Sequence, residues 1–198
     1  MEQHAVKNWK KTRTEPGPDL TIFKTRFDWL INPRNGKELK AVVLEAADWV
    51  NVIALTPEQR LIVVSQYRFG IGNISLEIPA GLVDPGETPR QAAARELEEE
   101  TGYLAREWRP LGWCYGNPAF LNNRAFTFLA LDVKKVHEQQ LEDCEHIVVE
   151  EITLAEVKEA IDEERMRNAM TLLALSKVFD MREIFGAAPG APLSLPPD

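Results

Sequence analysis

Between Arg95 and Thr101 the chain reads Arg95-Glu96-Leu97-Glu98-Glu99-Glu100-Thr101, four carboxylates within five residues. Carboxylates this close repel one another along a helix, so the run costs stability unless a positive charge offsets it. On a helix Glu96 and Glu100 stand at i and i+4 and project from one face, with Glu99 at its edge. Ala93 and Leu97 form a separate apolar stripe that can pack on a sheet. Oxygen-only ligands on one rigid face suit a hard cation such as Mg²⁺. An acidic run is more often a solvated helix face, so the segment in front of it matters. There Glu77-Ile78-Pro79-Ala80-Gly81 runs into Leu82-Val83-Asp84-Pro85-Gly86-Glu87. A strand, a loop and a helix in that order can bring backbone carbonyls beside the helix carboxylates.

The elements that must position these groups follow from local chemistry. Thr88, Pro89 and Gln91 supply an N-cap, a first-turn proline and the third-position partner of a capping box. The helix is therefore predicted from Pro89 to about Thr101, with Gly102 as its stop. Before it, strand patterns run from Leu20 to Leu30, Glu38 to Glu45, Trp49 to Leu55, Leu61 to Tyr67 and Leu76 to Pro79. Asn35-Gly36 marks a hairpin turn between the first two. Strands return at Pro110–Tyr115, Ala125–Val133 and Ile147–Thr153, and helices at about Leu154–Glu163 and Asn168–Ile184. Residues 1–18 read as an extended lead-in, and Gly186–Asp198, rich in Ala, Pro and Gly, as a disordered tail. This order predicts a mixed sheet covered by helices.

Gly81, five residues, Glu87, seven residues and then Arg95-Glu96-Leu97-Glu98-Glu99-Glu100-Thr101-Gly102-Tyr103 resemble the Nudix box with every defining position filled. The match spans 23 residues. The resemblance extends over about Leu20–Phe185 and implies an α/β fold, the Nudix α/β/α sandwich around a mixed β-sheet, preceded by a small N-terminal β-hairpin region. It divides the chain into an N-terminal extension and hairpin (1–45), a hydrolase domain (46–185) and the tail (186–198). It implies that Glu96 and Glu100 are metal ligands, that Glu99 joins the metal site or orients water, and that the Ala80 carbonyl is a further ligand. Arg95 and Glu87 resemble the pair that braces the loop against the helix. The implied cofactor is Mg²⁺, with Mn²⁺ as the substitute.

Residues outside the box bear on the substrate. Pro118 lies 15 residues beyond Tyr103, a spacing similar to that of ADP-ribose and nucleoside diphosphate sugar hydrolases, as are Ser65-Gln66-Tyr67-Arg68 and Leu76–Gly81. On that resemblance Arg68 is a candidate for the substrate phosphates and Glu77 for a polar contact. The chain departs from that branch at Gly116-Asn117-Pro118-Ala119-Phe120, which lacks the branch's Ser-Pro-Gly followed by an acid. Asn122, Asn123 and Arg124 are the replacements available to contact sugar or phosphate. For the catalytic base the resemblance points to the loop at about Lys134–His146, with Glu145 first and Glu142 as alternate. Similar enzymes exchange N-terminal strands across a homodimer, so a homodimer is expected.

Bulk composition fits. With 198 residues, 44% of them hydrophobic, the chain has material for one domain and a full core. A net charge of −8 argues against a bulk electrostatic grip on nucleic acid or an anionic membrane. Two cysteines, Cys114 and Cys144, lack zinc-site spacing and read as reduced thiols. The polar N-terminus lacks the apolar stretch of a signal peptide and no run is long enough to span a bilayer, which predicts a cytoplasmic location. The reading is Mg²⁺-dependent hydrolysis of a nucleoside diphosphate sugar such as ADP-ribose to a nucleoside monophosphate and a sugar phosphate. The alternatives are hydrolysis of a dinucleotide or nucleoside triphosphate, or a non-catalytic nucleotide-sensing module. Such a module is expected to lose box carboxylates, and none is missing here.

Overall fold

The computed structural model describes residues 6–141, 143 and 145–180. The chain divides into two compact units, Met1–Asp48 with Cys114–Arg124, and Trp49–Trp113 with Ala125–Asp198.

The first unit is built on an antiparallel sheet of three strands, β1 (Lys10–Asp19), β2 (Lys24–Ile31) and β3 (Glu38–Glu45), in that order. The expected hairpin is therefore only part of the sheet. The segment read as a lead-in contributes β1, paired to β2 from Lys10↔Ile31 to Asp19↔Lys24. Its own sequence is polar and includes Pro16 and Pro18, so pairing with β2 rather than an apolar pattern makes it a strand. The second strand begins at Lys24, not Leu20, because Leu20–Phe23 forms a tight turn closed by a 2.7 Å bond from the Leu20 N–H to the Phe23 carbonyl. Across the sheet Arg13, Trp29 and Lys40 share a row, with the Arg13 guanidinium 3.7 Å from the Trp29 ring centre. Asp28 is buried beside this row. Burial pushes its carboxyl up, but bonds from Thr14, Arg26 and Lys11 outweigh that and hold it below its ordinary 3.8.

The second unit contains a seven-stranded mixed sheet. Its strands are β4 (Trp49–Leu55), β5 (Leu61–Arg68), β6 (Asn73–Glu77), β7 (Ala80–Leu82), β9 (Glu107–Tyr115), β10 (Arg124–Leu131) and β12 (Ile147–Ile152). The main path runs β12-β5-β4-β10-β9, with β4 and β10 parallel from Trp49↔Ala125 to Leu55↔Leu131. β4 and β5 pair only at Leu55↔Leu61. Beyond that point residues 73–82 run between them: β6 pairs β5, then past Pro79 β7 pairs β4. A short two-stranded ribbon, β8 (Tyr103–Leu104) with β11 (Lys134–Lys135), completes the strands among the described residues.

Among the described residues three helices cover the sheet: α1 (Pro89–Thr101), α2 (Leu154–Asp162) and α3 (Ala169–Leu175). β4 alternates between two cores, as a strand covered on both faces must. Val50, Val52 and Ala54 pack with Ala92, Ala93 and Leu97 of α1. Ile53 and Leu55 pack with Val157 and Ala160 of α2 and Ala174 and Leu175 of α3. The α/β/α layering is thus written in the period-two pattern of one strand. The last helix is shorter than expected. Asn168 caps it and Ala169–Leu175 forms it, after which residues 176–179 continue as turns bonded to carbonyls three or four residues back. Residues 181–184 and the tail lie outside the described residues. No described helix is long and apolar enough to cross a membrane.

Candidate active site

The helix that carries the acidic run is fixed by the cap chemistry read from its sequence. The Thr88 and Gln91 side chains satisfy each other's backbone, Pro89 opens the first turn, and Gly102 ends the helix at φ 77°. Gly102 has a second reason to lack a side chain: a Cβ there would lie 2.1 Å from the His137 carbonyl oxygen.

β7 lies against the face that carries Glu96 and Glu100. The Ala80 N–H donates to Glu100 Oε2 at 3.1 Å. A Cβ on Gly81 would come within 2.1 Å of the Glu96 carboxylate, so glycine lets the strand approach that side chain. Glu100 is 4% exposed. Burial pushes its carboxyl up to about 8; the Ala80 N–H opposes this, and the charges of Glu96 and Glu145 add to it. Glu96 is also raised, by burial first and then by Glu99 and Glu145, against the lowering effect of Arg95.

Arg95 is the hub that holds this corner together. Its guanidinium grips Glu87 at 2.9 and 3.0 Å, the Leu82 carbonyl at 2.9 Å, Glu96 at 2.8 Å and Glu99 at 3.0 Å. Glu87 also accepts from the Asp84 N–H, and its carboxyl is lowered chiefly by Arg95. The brace between loop and helix is therefore present as expected.

Arg68 and Glu77, read separately from sequence, are partners. The guanidinium forks onto Glu77 at 3.0 and 2.7 Å, across the β5–β6 hairpin. Glu77 is 2% exposed, while the Arg68 side chain is 40% exposed. Burial raises Glu77, but Arg68, helped by hydrogen bonds from Ser75 and Asn168, outweighs it and holds the carboxyl below 4.5. The charges of Glu100 and Glu145 also act on Arg68. Glu145 is felt by Arg68, Glu96 and Glu100 alike, so these groups share one electrostatic corner. Glu142 and Cys144 lie outside the described residues.

Pro118 and Arg124 belong to the first unit. Pro118 sits in an exposed turn where the Asn117 carbonyl accepts from the Phe120 and Leu121 N–H groups. Arg124 pairs with Asp48 at 2.7 and 3.1 Å. Asn122 accepts from the Ala46 N–H and Asn123 donates to the Ala47 carbonyl, so this polar loop is stitched to residues 46–48.

The donor set of Ala80, Glu96, Glu99 and Glu100 is all oxygen, and the charge of the half-buried Glu96 adds to the rise of the buried Glu100, which is the electrostatics that favours a hard divalent cation. Among the described residues no three of His, Cys, Asp and Glu converge closely enough to hold an ion as they stand. Arg95 bridges Glu96 and Glu99 through one oxygen of each carboxylate. A surface depression of about 480 Å³, lined by residues including Pro57, Leu104, Arg106 and Lys134, contains none of these carboxylates. Charge and hydrogen bonding, not cavity volume, locate the site.

Sequence reasoning missed the Arg68–Glu77 pairing, the Ala80 N–H to Glu100 and the role of Asn168. The Gly70-Ile71-Gly72 turn between Arg68 and Asn73 was the available signal for the first, because it closes a hairpin that sets the two side by side. The other two depend on contacts distant in sequence and carry no local mark.

Residues 46–173 match the family model described as the NUDIX domain. The chain belongs to the Nudix hydrolase family. The assignment of the chain as a pyrophosphohydrolase rests on that membership. It is 34% identical over 142 residues to the ADP-ribose pyrophosphatase of Bacillus subtilis (strain 168), covering 71% of this chain and 77% of that protein. It is also 34% identical over 167 residues to the methanol dehydrogenase activator of Bacillus methanolicus, covering 84% and 90%. A crystal structure of an ADP compounds hydrolase matches with a TM-score of 0.76 at 21% identity, over 93% of this chain and 99% of that one. That structure supports the α/β/α fold.

Proposed function

We propose that this Nudix hydrolase cleaves the diphosphate linkage of a nucleoside diphosphate sugar such as ADP-ribose, releasing a nucleoside monophosphate and a sugar phosphate. One observation carries the reading: an anchored arginine, Arg68, shares a corner with a buried carboxylate, Glu100, whose repulsion by Glu96 calls for a cation. The pyrophosphatase relative in B. subtilis supports the substrate class.

In this reading Glu96, Glu99, Glu100 and the Ala80 carbonyl hold Mg²⁺, or Mn²⁺ in its place. The ion supplies positive charge against the diphosphate and makes a water more acidic. Arg68, held from behind by Glu77, presents its exposed face to a phosphate oxygen. Glu145 takes the proton from the attacking water, with Glu142 as the alternate. Pro118 and Arg124, in the first unit, are the further substrate-contact candidates. The protein acts as a homodimer in which N-terminal strands are exchanged.

The test is a product panel. Purified protein with Mg²⁺ or Mn²⁺ is incubated with ADP-ribose, GDP-mannose, UDP-glucose, dinucleotides and nucleoside triphosphates. Nucleoside monophosphate plus sugar phosphate is the expected outcome, and relative rates name the sugar nucleotide. Preferential cleavage of a dinucleotide or triphosphate would overturn the substrate class while leaving the family chemistry intact.

A further inference from the structure

The last carbonyls of an α-helix have no partner within the helix. In α1 there is also no basic side chain in the last turn to answer them. The Gly102 N–H takes the Glu98 carbonyl at 2.8 Å, and the segment after β11 takes most of the rest. The Val136 N–H donates to the Gly102 carbonyl at 2.9 Å, and the Gln140 N–H to the Glu99 carbonyl at 2.8 Å. A His137 ring nitrogen meets Glu98 at 2.9 Å. The start of the loop is thus fastened to the helix that bears the box carboxylates.

Gln139 does more than fasten the start. Its amide nitrogen donates to the Glu100 carbonyl at 2.6 Å and to the Ile147 carbonyl at 3.2 Å. Both partners are acceptors only, which fixes the orientation of the amide. Ile147 is the first residue of β12, where the chain rejoins the sheet opposite Gln66 of β5. One side chain therefore ties together the acidic helix and the two ends of the loop between them. Glu145 lies two residues before Ile147, and its charge reaches Glu96, Glu100 and Arg68.

We propose that Gln139 is a positioning residue for hydrolysis: by bridging the Glu100 and Ile147 carbonyls it sets the distance between Glu145 and the box carboxylates. The inference rests on the reading of Glu145 as the base. A misplacement of about 1 Å in a catalytic group can cost on the order of 100-fold in rate, so a clamp of this kind acts on kcat. Binding of the diphosphate, which uses other groups, is little changed.

Kinetics of the full chain with ADP-ribose and Mg²⁺ test it, with a thermal melt for every variant. Gln139→Glu is isosteric but turns the two donors into acceptors facing carbonyls. Gln139→Asn keeps the amide on a stem too short to reach both carbonyls, and serves if the charged variant fails to fold. Each is expected to lower kcat by about 10- to 100-fold with KM within about twofold. Gln139→Lys, whose ammonium can donate to both oxygens, is expected to recover most of the loss. In a Glu145→Gln background the Gln139 substitutions should add nothing further. Wild-type kcat in the folded Gln139 variants, or losses that multiply with that of Glu145→Gln, would overturn the clamp while leaving Glu145 as base. Wild-type turnover in Glu145→Gln alone would remove the base, and the clamp with it.

Discussion

Two glutamates almost closed to solvent sit in this site and end in opposite states. Glu77, at the β5–β6 corner, is 2% exposed and held below its ordinary 4.5. Glu100, at the α1–β7 corner, is 4% exposed and pushed up to about 8. Burial penalises both, and their partners answer it differently. Glu77 receives the full fork of Arg68 with Ser75 and Asn168 behind it. Glu100 receives one backbone N–H and faces the like charge of Glu96. The first carboxylate has been satisfied by the fold, and the second has been left for something else to satisfy. A buried acid is therefore read by what its partners leave undone.

If that contrast is right, removing each charge has opposite consequences. Glu100→Gln relieves the repulsion with Glu96, so its thermal midpoint should equal or exceed that of the wild type. Its turnover with Mg²⁺ should fall at least about 100-fold, as expected for a ligand whose supporting groups alone are worth that much. A melt and a steady-state assay on the same preparation check both halves. Near wild-type turnover would remove Glu100 from the metal site.

Arg68→Ala should instead lose stability as well as phosphate binding, because Glu77 stays buried without its partner. Breaking a fully buried pair costs about 3–5 kcal/mol, and the partial exposure of Arg68 trims this to about 2 kcal/mol. The pH dependence has a definite sign. Because the folded-state carboxyl is depressed, the pair stabilises fully above about pH 4.5 and its contribution is lost as pH falls below that. Urea unfolding of Glu77→Gln and wild type should therefore differ at pH 7 and converge toward pH 3. An equal gap at both values would mean that packing, not charge, holds this corner.

The smallest effect is expected at the shared wall. Gly81→Ala forces the Glu96 carboxylate away, since the new Cβ would lie 2.1 Å from it. The Mg²⁺ concentration for half-maximal activity should rise about tenfold, with little change in activity at saturating metal. An unaltered Mg²⁺ requirement would show that Glu96 can swing aside without consequence.

How far these features were visible in the sequence depends on how local their causes are. The bounds of α1 were read correctly at Pro89 and Thr101 because Thr88, Pro89, Gln91 and Gly102 carry the whole instruction within the helix and its ends. β4 was legible because its run, apolar but for Asn51, is buried on both faces. The box residues were legible by spacing. β1 was not, because ten polar and proline-bearing residues become a strand only when β2 supplies the other half of each hydrogen bond. Nor was the partnership of Gln139 with two carbonyls: it depends on a helix end and a strand start that approach only after folding.

The outer strand of the three-stranded sheet has a consequence for handling the protein. An exposed strand edge is a template for any other extended chain, and long regular edges seed fibrils. β1 carries Pro16 and Pro18, which have no N–H to offer, and its register with β2 slips near Lys11/Arg13 and Pro16/Asp19. Lys10, Lys11 and Arg13 add like charge along the same strand. A second strand docking there would meet gaps in the ladder. The edge that the sequence made hard to recognise as a strand is thereby a poor nucleus for aggregation at high concentration.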